Sequence, residues 1–314
     1  MIDGYKYILE KLYDKYYVSS SEYSDVTSSY WRTIGKQKVL KKKNGYQVSG
    51  SAFGNYRTKN MINYLKDIPM KILLSYFLKG YHFPNYLLQA GKTILDKSGF
   101  YPSIDSYKQI LSYNTILKTL NNKDKSIWSQ FSCICIIGDG YGFLSSLIKL
   151  TNPKIKVISV NLGRTLFFDV FYSSKCLPDI HPLLLEKKHS KNMQLSTSQL
   201  VFIEAENYSL LENLEVDLFI NIDSMQEMNP EIINNYFKYM RSSKKSPCYF
   251  YCCNRLEKEL PDGSIIKFIN YPWKNNNDVL IDELCPWYKK YPSLKPPFFR
   301  KYDGPIQHRL VKIK

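Results

Sequence analysis

The stretch Cys133-Ile-Cys-Ile-Ile-Gly138-Asp139-Gly140-Tyr141-Gly142-Phe143-Leu-Ser-Ser-Leu-Ile148 decides the fold. An unbroken apolar run reads as a strand buried on both faces. Three alternating glycines follow, then a helical pattern over Gly142–Leu150. Glycine is needed where the chain turns sharply or where backbone must lie close to a ligand. Ligands of an open parallel sheet sit beyond the carboxyl ends of its strands. Gly138, Asp139, Gly140, Tyr141 and Gly142 are therefore candidate cofactor-binding residues. The dinucleotide fingerprint G-x-G-x-x-G/A requires a small residue where Phe143 stands, and a P-loop requires Gly-Lys-Ser/Thr, which is absent. The competing reading is a bare strand-to-helix turn. Three glycines directly after an apolar strand favour a bound ligand.

Working outward, strand-like runs alternate with helical ones after Ser129. The strands are Ser132–Ile137, Lys156–Val160, Leu200–Ile203, Asp217–Ile220 and Tyr249–Cys252, with helices at Gly142–Leu150, Arg164–Tyr172 and Glu231–Arg241. Asn229-Pro230-Glu231 is a helix start of good chemistry. This predicts a Rossmann-like α/β fold with a mostly parallel sheet. Gly263–Ile269 and Gln307–Ile313 read as strands of a hairpin-like antiparallel addition at the C-terminus. Before Ser129 the periodicity is helical, at Tyr5–Tyr17, Asn60–Leu78, Asn85–Leu95 and Ser106–Leu120. The expected division is a helical cap or substrate region at 1–128 and a cofactor-binding domain at 129–314.

Composition sets the limits. The 314 residues carry 44 Lys and Arg against 28 Asp and Glu, a net charge of +16. The hydrophobic fraction of 44% suffices for a packed core. No apolar run is long enough to span a bilayer. The first residues lack a signal-peptide core, which points to the cytoplasm. Only 7 of the basic residues are Arg, which weakens a reading as a phosphate or base reader. Residues 1–128 hold 20 basic and 9 acidic side chains, so the excess sits mainly in the helical part. It suits either a Lys-rich solvated surface or a cap that draws in an anionic acceptor. The odd count of seven Cys, without CxxC pairs, argues against a disulfide framework and a zinc site. No metal is expected.

The spacing G-x-G-x-G in Gly138–Gly142 resembles the first motif of class I S-adenosylmethionine (SAM) methyltransferases. The resemblance implies SAM as cofactor. It also implies a hydrogen-bonding residue at the end of the second strand for the ribose, here Asn161 followed by Leu162. An acid after the third strand near the adenine corresponds to Glu204, with Ala205 beside it. The family has Asp or Glu where this chain has Asn161, and an acid where it has Ile136. The fourth strand runs into Asn221-Ile222-Asp223-Ser224-Met225-Gln226-Glu227-Met228, a crowd of polar groups where the reacting methyl should lie.

That last stretch is similar to a family of bacterial sugar O-methyltransferases. So are Phe250-Tyr-Cys-Cys-Asn-Arg255, Leu260-Pro-Asp-Gly263, Asp282-Glu-Leu-Cys-Pro-Trp287 and Tyr302-Asp-Gly-Pro-Ile-Gln-His-Arg-Leu310. The resemblance covers about Ser129 to the C-terminus, and loosely Tyr30–Tyr56. It implies methyl transfer to a sugar hydroxyl in surface-glycan or lipopolysaccharide synthesis. The partner would be a sugar, nucleotide-sugar or glycan; nucleic acid is disfavoured and an oligomer is left open. A neutral hydroxyl is a poor nucleophile, so a base is needed. Asp223 is the first candidate, Glu227 the second and His308 the third. His181 and His189 read as surface. Asn221 and Ile222 would face the cofactor, and Ser224, Gln226, Asn254 and Arg255 the acceptor. Tyr271, Trp273, Trp287, Tyr288 and Tyr291 read either as a substrate loop or as a cover over the sheet. Ser51-Ala-Phe-Gly54 with Tyr56 and Arg57 reads as a lid. Two other functions stay open: an RNA methyltransferase, and a non-catalytic protein on a degenerate methyltransferase fold.

Overall fold

A computed structural model of the chain describes residues 3–19, 26–33, 38–43, 45–49, 57–187, 197–245 and 247–313. The N-terminal part begins with α1 (Asp3–Tyr13), prolonged by a π-helical turn Asp14–Val18, and a short α2 (Ser29–Thr33). β1 (Lys38–Lys42) and β2 (Gly45–Ser49) form a hairpin where the sequence shows only a basic run and a Gly-rich turn region. β3 (Arg57–Thr58), α3 (Met61–Leu78), α4 (Asn85–Ser98), β4 (Phe100–Tyr101) and α5 (Ile104–Lys123) follow. Asn60 caps α3 by accepting from the Asn63 amide at 2.8 Å, and Ser103 and Ser106 form a reciprocal cap on α5.

From Cys133 onward strands and helices alternate as expected: β5 (Cys133–Ile137), α6 (Phe143–Thr151), β6 (Lys156–Asn161), α7 (Gly163–Cys176), β7 (Pro182–Leu184), β8 (Leu200–Glu204), β9 (Leu218–Ile222), α8 (Pro230–Ser242) and β10 (Cys248–Arg255). The tail adds β11 (Glu257–Glu259), β12 (Ile265–Lys267), β13 (Asp278–Leu284), β14 (Lys290–Pro292), β15 (Phe299–Lys301) and β16 (Ile306–Ile313). The main sheet has eight strands in the order β13-β16-β10-β9-β5-β6-β8-β7. It is parallel except for β16, which lies antiparallel between β10 and β13. This is the mostly parallel Rossmann-like sheet with an antiparallel C-terminal strand that the sequence predicts. The tail differs in one respect. The run 263–269 contributes β12 to a separate hairpin with β11, turned at Gly263 (φ +82°), and the sheet edge is β13 instead. β13 carries Asp282 and Glu283 and is largely exposed, so it has little apolar alternation to read.

Every residue of β5 is buried, and successive side chains serve opposite faces. Ile134 and Ile136 join a cluster with α1, α4, α5, α6 and α7 residues such as Leu9, Leu95, Ile116, Leu147 and Phe167. Cys133, Cys135 and Ile137 join a second cluster with Phe237 and Met240 of α8. The first cluster runs without interruption across residue 128, so the N-terminal helices share a core with the sheet. All seven cysteines are free and buried, behaving as small apolar side chains.

Candidate functional site

The turn after β5 is held open by backbone geometry. Gly138, Gly140 and Gly142 have φ of +80°, +85° and +63°. A Cβ on Gly138 would lie 2.2 Å from Ser224 Oγ, and one on Gly142 would lie 2.8 Å from the Asp169 carbonyl oxygen. Gly138 thus lets the end of β9 approach, whereas Gly142 lets α6 pack on α7. Beyond the strand ends lies a cavity of about 280 Å³. Gly138, Asp139, Gly140, Tyr141, Asn161, Leu162, Ala205, Ile222, Asp223, Ser224 and Glu227 line it. The structure brings these candidate residues together around one cavity, and several others lie elsewhere.

Asp139 turns its carboxylate to the N-terminus of α6 and accepts from the Leu144 and Ser145 amides at 3.0 and 2.8 Å. Asn161 is committed inward. Its Nδ2 donates to Asp169 Oδ2 at 3.0 Å and its Oδ1 accepts from the Leu162 amide at 3.0 Å. Glu204 does not line the cavity, because Tyr16 Oη and Lys15 Nζ donate to its Oε1 at 2.5 and 2.9 Å. Asn221 is fully buried. Its Nδ2 donates to the Ile137 carbonyl at 2.8 Å, and its Oδ1 accepts from the Met225 amide and Asn254 Nδ2. Gln226 and Asn254 belong to the same framework, since Asn254 Oδ1 takes the Gln226 amide and Gln226 Oε1 takes the Arg255 amide. The Arg255 guanidinium turns to Asp303, 3.1 Å away. His308 is buried on β16, 3.2 Å from Tyr251 Oη and 3.3 Å from Glu283 Oε1, with Trp287 packed on its ring. Burial lowers its pKa against the opposing pull of Glu283. Asp139 and Asn161 line the cavity while their side chains serve the framework; Glu204, Asn221, Gln226, Asn254, Arg255 and His308 do not line it.

Asp223 has φ +58°, the only positive φ outside glycine among the described residues. Strain of that kind concentrates at functional sites. Its amide donates to the Cys253 carbonyl at 2.8 Å, and its Oδ2 accepts from Tyr288 Oη. Burial raises its pKa, while Lys108 and the Tyr288 hydroxyl hold it down. Lys108 of α5 is buried, with its ammonium 4.1 Å from both the Tyr288 and Tyr302 ring centres. It donates to Tyr302 Oη and lies 3.6 Å from Asp105 Oδ1. Glu227 meets Lys258 Nζ at 2.5 Å. Burial pushes its pKa up to about 7, against the attraction of Lys258.

Several cavity residues are not evident from the sequence: Ser28 just before α2, Tyr30 and Trp31 on α2, Asp105 and Gln109 on α5, and Thr165 on α7. The spacing Asp105, Lys108, Gln109 places three polar groups on one helix face, and that is the signal available. The aromatic stretch divides. Tyr288 and Tyr302 line the cavity, while Tyr271 and Trp273 pack on Phe237. The lid residues 51–56 and His189 lie outside the described residues, and Arg57 pairs with buried Asp67 at 3.0 Å. Among the described residues no group of three or more His, Cys, Asp or Glu is placed to hold a metal ion.

No family model matches the chain, and no curated protein does. Among solved structures it is similar to the pyocyanin biosynthetic protein PhzM, at 8% identity over 63% of this chain and 55% of that chain, with TM-score 0.36. It is similar to TrmN from Thermus thermophilus, at 8% identity over 66% and 49%, with TM-score 0.38. It is similar also to magnesium protoporphyrin IX methyltransferase (ChlM) from Synechocystis PCC 6803 with bound SAM, at 9% identity over 67% and 83%, with TM-score 0.36. The chain spans about half the length of the first two. Likeness at this level assigns no activity to the chain.

Proposed function

We propose that the chain is a SAM-dependent methyltransferase acting on a sugar hydroxyl. The observation that supports this most is the cavity itself. Positive-φ glycine backbone forms one wall, and Asp223, bridged to Tyr288, stands on another. The residues present fit a nucleoside cofactor: Val160, Leu162, Ala205 and Ile222 offer apolar contact, and Gly138 and Gly140 allow close approach. When bound, SAM supplies an electrophilic methyl group on a sulfonium.

The chain's own residues supply the rest. Asp223 accepts the proton of the acceptor hydroxyl, and Tyr288 and Lys108 keep its carboxylate ionised. Glu227 is the second acid, balanced by Lys258. Asp105 and Gln109 approach from the N-terminal helices and hydrogen-bond acceptor hydroxyls. Tyr30 and Trp31 offer aromatic faces to a sugar ring. In this reading residues 1–128 hold the acceptor and residues 129–314 the cofactor, and the reaction runs in the cytoplasm. The described lining residues include four carboxylates and no Lys or Arg, which favours an uncharged reacting end over an RNA backbone.

Calorimetry with SAM and S-adenosylhomocysteine is the first test, and the expected result is saturable binding of both. If neither binds, the proposal fails and a non-catalytic protein takes its place. If they bind, labelled methyl transfer to a panel of nucleotide-sugars and to RNA identifies the acceptor.

A further inference from the structure

α3 carries a run of exposed apolar side chains. Met61, Ile62, Leu65, Ile68, Ile72 and Tyr76 are all more than half exposed. At about 100° per residue they fall in one sector of about 120° on the helix. Asp67 and Leu74, on the far side, are buried and anchor the helix to the protein. Monomeric proteins seldom leave such a continuous stripe to water. Lys71 and Lys66 flank the sector on its two edges, roughly 60° and 40° outside it. Lys79 closes its C-terminal end, with its ammonium 5.0 Å from the Tyr76 ring centre. The face runs into a cleft of about 400 Å³ between the end of α3 and β14, lined by Tyr76, Phe77, Tyr81, Lys289, Lys290 and Phe299.

We infer that this face is a docking surface for an anionic lipid bilayer, with α3 lying in the interface and its lysines reaching the headgroups. Charge selects the occupant. Residues 57–79 carry five cationic side chains and one acid, and that acid, Asp67, is buried beneath Arg57 and Lys71. A second copy docking through the same face would bring like charges together. An anionic lipid surface complements them, and Lys stems flanking an apolar stripe suit an interfacial helix. No helix among the described residues is long and apolar enough to cross a membrane, so the contact is peripheral.

Flotation of the full chain tests this, using vesicles of phosphatidylcholine alone and vesicles with one-third phosphatidylglycerol. At low salt the expected recovery with the anionic vesicles is at least about tenfold higher. The double variant Leu65→Ser, Ile72→Ser should lose flotation on both while melting like the parent, because both side chains are exposed. Lys66→Glu with Lys79→Glu should cut recovery on the anionic vesicles by at least about tenfold. Absence of flotation, equal recovery on the two vesicle types, or full binding by the serine variant would each overturn the inference. So would a parent that sediments as a dimer, becomes monomeric in the serine variant and ignores vesicles.

Discussion

The Tyr288 hydroxyl donates to the Oδ2 of Asp223, joining the turn after β13 to the end of β9 across 65 residues of chain. Asp223 is half-buried on the cavity wall; loss of solvent raises its pKa, while Lys108 first and the Tyr288 hydroxyl next favour the ionised form. Asp105 on α5 pushes the other way, and Arg255 on β10 lowers it further. Glu227, Cys253, Tyr30 and Tyr302 complete the titratable groups around it. If the carboxylate accepts the acceptor's proton, Asp223→Asn lowers kcat by about 10²–10⁴ while SAM affinity stays near the parent value. Unchanged turnover would remove Asp223 from the chemistry.

The same geometry predicts a pH effect. The active carboxylate is lost as pH falls through its pKa, which sets the acid limb of the rate profile. Tyr288→Phe removes a donor that favours the ionised form. The Asp223 pKa then rises and the acid limb moves to higher pH. Lys108→Met should move it in the same direction and further, since Lys108 is the larger influence. A kcat reduced equally at all pH values would assign these two residues a purely structural role.

Gly138→Ala is expected to destabilise by about 2 kcal/mol or more, since a positive φ costs an L-residue and the new Cβ meets Ser224. The new Cβ would lie 2.2 Å from Ser224 Oγ and 2.5 Å from Ser224 Cβ, and rotation of the hydroxyl relieves only the first clash. Adding Ser224→Gly should restore the steric part and leave the φ penalty. Denaturant midpoints of the three variants separate the two contributions. A Gly138→Ala protein as stable as the parent would show that the β5 turn is not under this constraint.

What the sequence discloses follows from what it encodes. The run 133–142 is legible because an unbroken apolar strand and alternating glycines have few structural meanings. The place of Asp223 on the cavity wall is legible because the carboxyl ends of the strands in such a sheet open onto a crevice. Direction is not legible. Asn221, Gln226 and Asn254 have the same residue types as a binding set, yet they satisfy one another and the backbone. Glu204 is the right residue at the right strand end, but Tyr16, 188 residues earlier, occupies it. Asp105 and Gln109 sit in a helix whose pattern reads as ordinary burial, and only tertiary packing carries them to the cavity, with Lys108 against the Tyr288 and Tyr302 rings.

His308 offers a direct check on direction. A histidine entering the last strand is a reasonable base by residue type, but its ring is enclosed by Tyr251, Trp287 and Glu283. His308→Gln should therefore lower stability by about 1–3 kcal/mol, through a lost buried contact, and leave kcat close to the parent value. A large loss of kcat in a protein that melts normally would return His308 to the reaction.

Asp169 makes stability itself depend on pH. It is fully buried on α7, and its Oδ2 accepts from Ser159 Oγ and Asn161 Nδ2, each at 3.0 Å. Burial, and then the neighbouring Asp139, raise its pKa well above the carboxyl range. Asp139 has two backbone donors and is the better holder of negative charge, which leaves Asp169 as the protonated partner. The folded chain therefore keeps a proton that the unfolded chain releases near the ordinary carboxyl pKa. Stability is full below that value and falls as pH rises through the folded pKa. Asp169→Asn keeps an oxygen for Ser159 and Asn161 but cannot ionise. Its denaturant midpoint should decline less than the parent's from about pH 5 to about pH 9, so that the variant gains relative stability in alkali by about 1.4 kcal/mol for each unit of the raised pKa that is titrated. Parallel curves for the two proteins would mean that Asp169 is ionised throughout, and that Asn161 and Ser159 are held by a charge.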